Sequence, residues 1–166
     1  MSSGAMDEAL KVLSRRRVTV AKMRDHLEKK GFSAGEILEC LGRLQEWGYL
    51  DDSSYARDWV DKVVTEAPMG RSRMLLELQA RGVPSHIAEE TVSQVFSVTS
   101  EKELAERAAR DYLAKGGDLP SKSRRKRAAN LARYLLRRGF DDELVFLVIS
   151  ELNSDLEFPE AIDSDA

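Results

Sequence analysis

Residue types that could perform bond-making chemistry are sparse and scattered in this chain. The only histidines, His26 and His86, sit in different segments, and neither has a partner at a metal-ligand spacing. Both read as solvated surface residues. The single cysteine, Cys40, lies between Leu38 and Leu41 on a helical pattern and reads as a semi-buried small apolar residue. One cysteine also excludes an internal disulfide framework and any multi-cysteine metal site. The adjacent pair Asp51–Asp52 stands where a helix begins, so capping at the positive end of the helix dipole is the expected role, not cation binding. No Gly-x-x-x-x-Gly-Lys phosphate loop and no nucleophile elbow occurs. Neither an enzyme nor a cofactor-binding protein is expected.

Charge carries more information. Between Leu119 and Phe140 there is no acid, while Lys122, Arg124, Arg125, Lys126, Arg127, Arg133, Arg137 and Arg138 are all basic. On a helical wheel Ala128, Leu131, Ala132, Leu135 and Leu136 form an inward stripe, and Lys122, Lys126, Arg133 and Arg137 fall opposite. A solvated face usually mixes signs so that residues four apart can pair. This one repels itself and calls for an anionic partner, for which a phosphate backbone is the natural candidate through counterion release. The chain's own acidic tail is the alternative. A second basic cluster, Arg15, Arg16, Arg17, Lys22 and Arg24, marks the N-terminal region, whereas Arg71, Arg73 and Arg81 are offset by Glu66, Glu77, Glu89 and Glu90. Trp47, Tyr49, Tyr55 and Trp59 cluster in sequence; a base-stacking platform is conceivable, but the helical spacing of Tyr55 and Trp59 favours a core between modules.

The elements that must hold these residues form a repeat. Gly31, Gly82 and Gly139 each follow a basic residue (Lys30, Arg81, Arg138) and precede an apolar one (Phe32, Val83, Phe140). Four residues before each stands Leu27, Leu78 or Leu135. At 6, 10 and 13 residues beyond come Ile37, Leu41 and Leu44; Ala88, Val92 and Val95; and Val145, Ile149 and Leu152. Spacings of four and three are helical, and the glycine suits the left-handed position that ends a helix. A further helix precedes each copy, lined by Ala9, Leu10 and Leu13; by Tyr55, Ala56, Trp59, Val60 and Val63; and by Leu104, Ala105, Ala108, Tyr112 and Leu113. Ser33 with Glu36 and Ser100 with Glu103 form candidate capping boxes. The predicted fold is all-α, with nine helices in three tandem three-helix repeats: 1–50, 51–98 and 99–153, then an acidic tail over 154–166. Modules this small are marginal alone and gain stability by stacking on neighbours.

Composition sets the remaining bounds. The chain has 166 residues, 42% hydrophobic and 33% charged, with a formal net charge of −3. The charged fraction exceeds the roughly 25% of an average domain, yet apolar material suffices for a core. Five acids and no base lie between Asn153 and Ala166; without them the 29 acids fall to 24 against 26 bases, so residues 1–152 carry +2. The pI near 5.6 therefore does not exclude nucleic acid. No apolar run is long enough to span a membrane and the start has no secretory pattern, so a cytoplasmic protein is expected.

The run Trp47 to Val60, W-G-Y-L-D-D-S-S-Y-A-R-D-W-V, resembles the most characteristic stretch of the RecX family through Gly48, Tyr49, Leu50, Asp51, Asp52, Tyr55, Ala56 and Arg57. Ala9 to Arg16, Lys29 to Ser33 and the segment ending at Val83 resemble it too, and the likeness covers about residues 6–152. It is weakest in the third repeat and absent from the tail. The resemblance implies an elongated, curved body of three-helix repeats. It also implies a bacterial negative regulator of the RecA recombinase that binds the RecA–ATP–single-stranded-DNA filament and restrains its ATPase, strand exchange and repressor cleavage. Partners so implied are RecA and, directly or through the filament, single-stranded DNA, with no membrane. The family has no catalytic residues to carry over; Asp51 and Asp52 are read as cap and brace. Apolar faces are accounted for within one chain, so a monomer is expected. Two competing readings remain, a helix-turn-helix-like DNA-binding protein and a protein-only scaffold.

Overall fold

The computed structural model describes residues 3–116 and 124–155. Within them the regular elements are helices: α1 Ser3–Leu13, α2 Val20–Lys29, α3 Ala34–Glu46, α4 Asp52–Glu66, α5 Arg71–Ala80, α6 Ser85–Val98, α7 Glu101–Ala114, α8 Arg124–Arg137 and α9 Asp142–Asp155. They group in threes, α1–α3, α4–α6 and α7–α9. Side chains at positions 3, 124 and 153–155 lie outside the description, as do the predicted Lys122 and the tail beyond Asp155.

Local chemistry sets the helix ends. The repeated glycines Gly31, Gly82 and Gly139 all adopt φ +85°, open to glycine and strained for other residues. In each copy the glycine N–H bonds the carbonyl two residues before the cap, and the next N–H reaches back to the leucine carbonyl. The first bond is 2.9 Å in all three; the second is 3.3 Å for Phe32→Leu27, 3.1 Å for Val83→Leu78 and 3.3 Å for Phe140→Leu135. This pair of hydrogen bonds closes the otherwise orphaned carbonyls of α2, α5 and α8. Ser33 and Glu36 complete a reciprocal capping box at α3, and those bonds hold the Glu36 carboxyl below its usual range. At α7 the Ser100 side chain accepts from the Glu103 amide.

Packing divides the helices unequally. Ala5, Ala9, Met23, Leu27, Ile37, Cys40, Leu41, Leu44 and Leu50 enclose a core belonging to α1–α3 alone. Cys40 is fully buried there, deeper than its flanking residues suggested, and burial pushes its thiol pKa up. In contrast α4–α9 share one continuous core, with Val60, Met74, Leu78, Val92, Leu104, Leu131, Leu135 and Val148 among its members. Each middle helix buries two residues, eight and four before its glycine: Met23 and Leu27, Met74 and Leu78, Leu131 and Leu135. Removal from water of one such side chain contributes about 1.5–3 kcal/mol. Leu136, placed on the inward stripe by the wheel, is 41% exposed instead, because the two shared-core positions on α8 already face inward one turn apart.

The middle helices lie end to end. The C-terminal turn of α5 meets the first turn of α2, where the buried Thr19 hydroxyl donates to the Arg81 carbonyl at 2.7 Å while accepting from the Lys22 amide at 3.3 Å. The C-terminal turn of α8 meets the first turn of α5 in the same manner: Gly70 N–H bonds the Arg138 carbonyl at 2.8 Å, and Ser72 Oγ donates to the Gly139 carbonyl at 2.7 Å. The negative end of one helix dipole thus faces the positive end of the next, a favourable head-to-tail row.

Candidate nucleic-acid interface

The row of middle helices gives the basic residues a common address. Positions nine and two before each glycine are two turns apart and share a helix face. They hold Lys22 and Lys29 on α2, Arg73 and Ala80 on α5, and Asn130 and Arg137 on α8. Lys22, Lys29 and Ala80 line one cavity of about 440 Å³ at the first junction. Arg73 and Arg137 line the equivalent cavity of about 470 Å³ at the second, beside the exposed Leu76 and Leu136. The face is therefore continuous across both junctions. Exposed Lys126 and Arg133 extend it along α8. Lys22 and Lys29 stand about 10 Å apart along their axis at the α-helical rise.

Not all of these cations are equally available. In the middle of the row Glu77 holds both Arg73, at 2.6 Å, and Arg81, and bonds from Arg81 first and Arg73 second keep its carboxyl below the usual range. The Arg81 guanidinium also lies 4.6 Å above the Trp59 ring, and half-buried Trp59 packs against the core of α4–α9. Arg133 bonds the Asn130 side chain. Positive charge is densest at the two ends of the row.

Around the first junction the predicted cluster separates by task. Arg17 ties the units together, pairing with Asp58 and bonding Ser54 Oγ at 3.0 Å. Arg16 lines two adjoining cavities: the junction groove and a second one of about 500 Å³ shared with Lys11, Arg15 and Lys30. Lys22 faces the junction groove, whereas Arg24 lines neither cavity. His26 stands on the wall between the two cavities, half-buried, with Nε2 2.8 Å from Glu8 Oε1. It is a bonded residue, not the freely solvated one expected. Hydrogen bonds from His26 and then Lys30 hold the Glu8 carboxyl low. Lys29 and Arg81 were missed as groove residues; the offset of Lys29 from its glycine was a signal, since Lys29 matches Arg137 as Lys22 matches Arg73, whereas Arg81 reaches the groove only through the meeting of α5 with α2.

The acidic pair divides its labour. Asp51 caps α4, accepting from the Ser54 amide at 3.0 Å. Asp52 reaches back to the first unit and accepts from the Val20 amide at 2.9 Å. Burial raises its pKa, opposed by that bond and reinforced by neighbouring Asp51. Ala56 is buried beneath them, Tyr55 lines the junction groove and Arg57 is exposed. Trp47 and Tyr49, 56% and 59% exposed, pack edge to face on one another outside both cores. Among the described residues no group of three or more His, Cys, Asp or Glu could hold a metal ion, and no helix is long and apolar enough to cross a membrane.

Comparison with known proteins agrees with this architecture. Residues 5–44 match the family description "RecX, first three-helix domain". The chain is 30% identical over 143 residues to regulatory protein RecX of Chlorobaculum tepidum, covering 86% of this chain and 84% of that one. It is 29% identical to regulatory protein RecX of Bacillus licheniformis, where the match takes in 87% of this chain but 53% of the longer relative. The crystal structure of RecX from Lactobacillus salivarius superposes with a TM-score of 0.74 at 22% identity, over 92% of this chain and 97% of that one.

Proposed function

The chain belongs to the RecX family of regulatory proteins, and from that premise we propose that it binds RecA in its ATP-bound filament on single-stranded DNA and restrains the filament's ATPase, strand exchange and repressor-cleavage activities. The observation that carries this reading is the face shared by three end-to-end helices, with Lys22 and Lys29 towards one end and Lys126, Arg133 and Arg137 towards the other. A row of this kind suits a linear anionic partner, and three rigid units in series can span neighbouring protomers of a filament. ATP turnover slows when bridging holds protomers that must readjust. This requires tighter binding to one filament state, since equal affinity for both shifts nothing. The protein acts as a cytoplasmic monomer without catalysis of its own. A sequence-reading helix-turn-helix protein has less support, because Asn130, the plausible base-reading side chain on α8, is bonded to Arg133.

The test is RecA ATPase on single-stranded DNA with and without the protein. Hydrolysis falls on addition, and the fall weakens as salt rises toward physiological strength. Reversing Lys126, Arg133 and Arg137 to glutamate relieves the inhibition with helicity unchanged. Undiminished ATPase at saturating protein refutes the reading; full inhibition by the triple reversal removes the basic row from it.

A further inference from the structure

The groove at the first junction differs from a generic basic surface in two respects. Its cations come from both walls: Arg16, Lys22 and Lys29 from the first unit, Arg81 from the second. A single carboxylate, Asp25, lines it. Arg16, Lys22 and Lys29 make no ion pair among the described residues, whereas Arg81 is held by Glu77, so the uncompensated charge gathers on the first-unit wall. The polar contacts of Thr19, Asp52 and Arg17 hold the two walls together, with no shared core behind them. Tyr55 supplies an aromatic surface on the second-unit side.

We infer that this groove seats one nucleotide of a single strand, its phosphate among Arg16, Lys22, Lys29 and Arg81 and its sugar or base against Tyr55, and that a strand so held fixes the first unit on the second. The inference rests on the filament-binding reading and names the ligand and consequence of one part of the row. A phosphate drawn in by the uncompensated cations of the first unit, with its sugar or base against Tyr55 of the second, bridges the two walls, and binding to the closed arrangement draws the population toward it. A cavity of about 440 Å³ accommodates one unpaired nucleotide with its base free to turn toward the ring. A paired base stays stacked inside its duplex and cannot reach Tyr55. The neighbouring cavity, across the wall formed by Arg16 and His26, continues the path past Arg15 and Lys30.

The experiment uses the full chain without RecA. Fluorescence anisotropy of a labelled oligothymidylate of about a dozen residues measures affinity and its salt slope. Paired substitution K22E/K29E weakens binding at least tenfold, and the salt slope becomes shallower by about 0.7 for each phosphate that the protein no longer neutralises. K22Q/K29Q, which removes charge without reversing it, weakens binding in the same direction and guards against a folding artefact; circular dichroism checks both. Hydrogen exchange at the Val20 amide, bonded to Asp52 across the junction, reads the locking directly and slows when the strand is added. Wild-type affinity in both variants overturns the site, and unchanged Val20 exchange with strand bound overturns the locking. Inorganic triphosphate serves as the second arm: if it displaces the strand and protects Val20 on its own, the groove belongs to free polyphosphate and the assignment to a strand is wrong. Because RecA is absent, loss of strand binding here and loss of RecA inhibition are separately readable.

Discussion

The two junctions between consecutive units share one turn and differ in what lies behind it. At the first, Gly82 presses on Thr19 and Ala21, and Thr19, Asp52 and Arg17 supply polar ties between separately enclosed cores. At the second, Gly139 and Gly70 bring backbone against backbone. Arg138 Nε bonds the Pro68 carbonyl at 3.0 Å, Arg107 bonds the Thr65 carbonyl at 2.9 Å, and the apolar interior runs through without a break. The same supersecondary connection therefore yields a joint in one place and a fused body in the other. Apolar burial is non-directional and scales with area, so a shared core resists separation in every direction. A few hydrogen bonds at an accessible junction resist only along their own lines. The polar joint is also where the unpaired cations gather, and a joint that a ligand can close has to be weak enough to open.

The largest expected effects come from core positions on either side of this contrast. Leu135→Ala, inside the fused body, costs about 2–5 kcal/mol and loosens the second and third units together. Leu27→Ala costs a similar amount but confines the loss to the first unit. Amide exchange mapped along the chain separates the two patterns, and a uniform response to both would abolish the distinction between joint and body.

A graded series follows, because three glycines share φ +85° and differ only in their neighbours. Gly139→Ala, whose new methyl would overlap Arg73, is expected to cost about 3–5 kcal/mol; Gly82→Ala, 2.9 Å from Thr19 Oγ1 and Ala21 Cβ, about 2–4; and Gly31→Ala, open on that side, the conformational strain of about 1–2 alone. Chemical denaturation of the three variants checks the order. Equal losses would show that docking adds nothing to the turn.

Smaller effects probe the polar ties. Thr19→Val removes both the cap and the bond to the Arg81 carbonyl, costing about 1–2 kcal/mol, with faster exchange confined to the first junction. Asp52→Asn keeps the acceptor for Val20 and removes the titration. Burial raises the Asp52 pKa above its unfolded value, so the wild type gains stability relative to the variant as pH falls through that raised value, and the gain levels off below the ordinary aspartate range. A wild-type-minus-variant difference that is flat with pH contradicts the partial burial of Asp52.

Much of the fold was legible because helical patterning is local. The glycine with its leucine four residues before, and the apolar positions beyond, follow from the period of one helix and the conformation of one turn, so the three-helix repeat could be read residue by residue. The Asp51 cap was legible for the same reason. The candidate site was legible in kind and not in layout. Arg15, Arg16, Arg17, Lys22 and Arg24 are one cluster along the chain, but α2 turns Arg24 away from the groove, Arg17 lines it while paired with Asp58, and Lys29 joins Arg16 and Lys22 as an uncompensated cation there. Lys122 lies outside the described residues, while Lys126, Arg133 and Arg137 stand on the exposed side of α8.

By itself, then, the sequence determined the helices, their ends, their grouping in threes and the excess of positive charge on the middle helices. Each depends on interactions within about four residues, which spacing encodes directly. Tertiary structure alone decided that the middle helices line up end to end, that one junction is polar while the other is fused, and that His26 is held by Glu8. Those outcomes depend on groups far apart in the chain meeting across an interface, such as Thr19 with Arg81 and Gly70 with Arg138. Their energies are set by which surfaces face each other, a quantity that no local period contains.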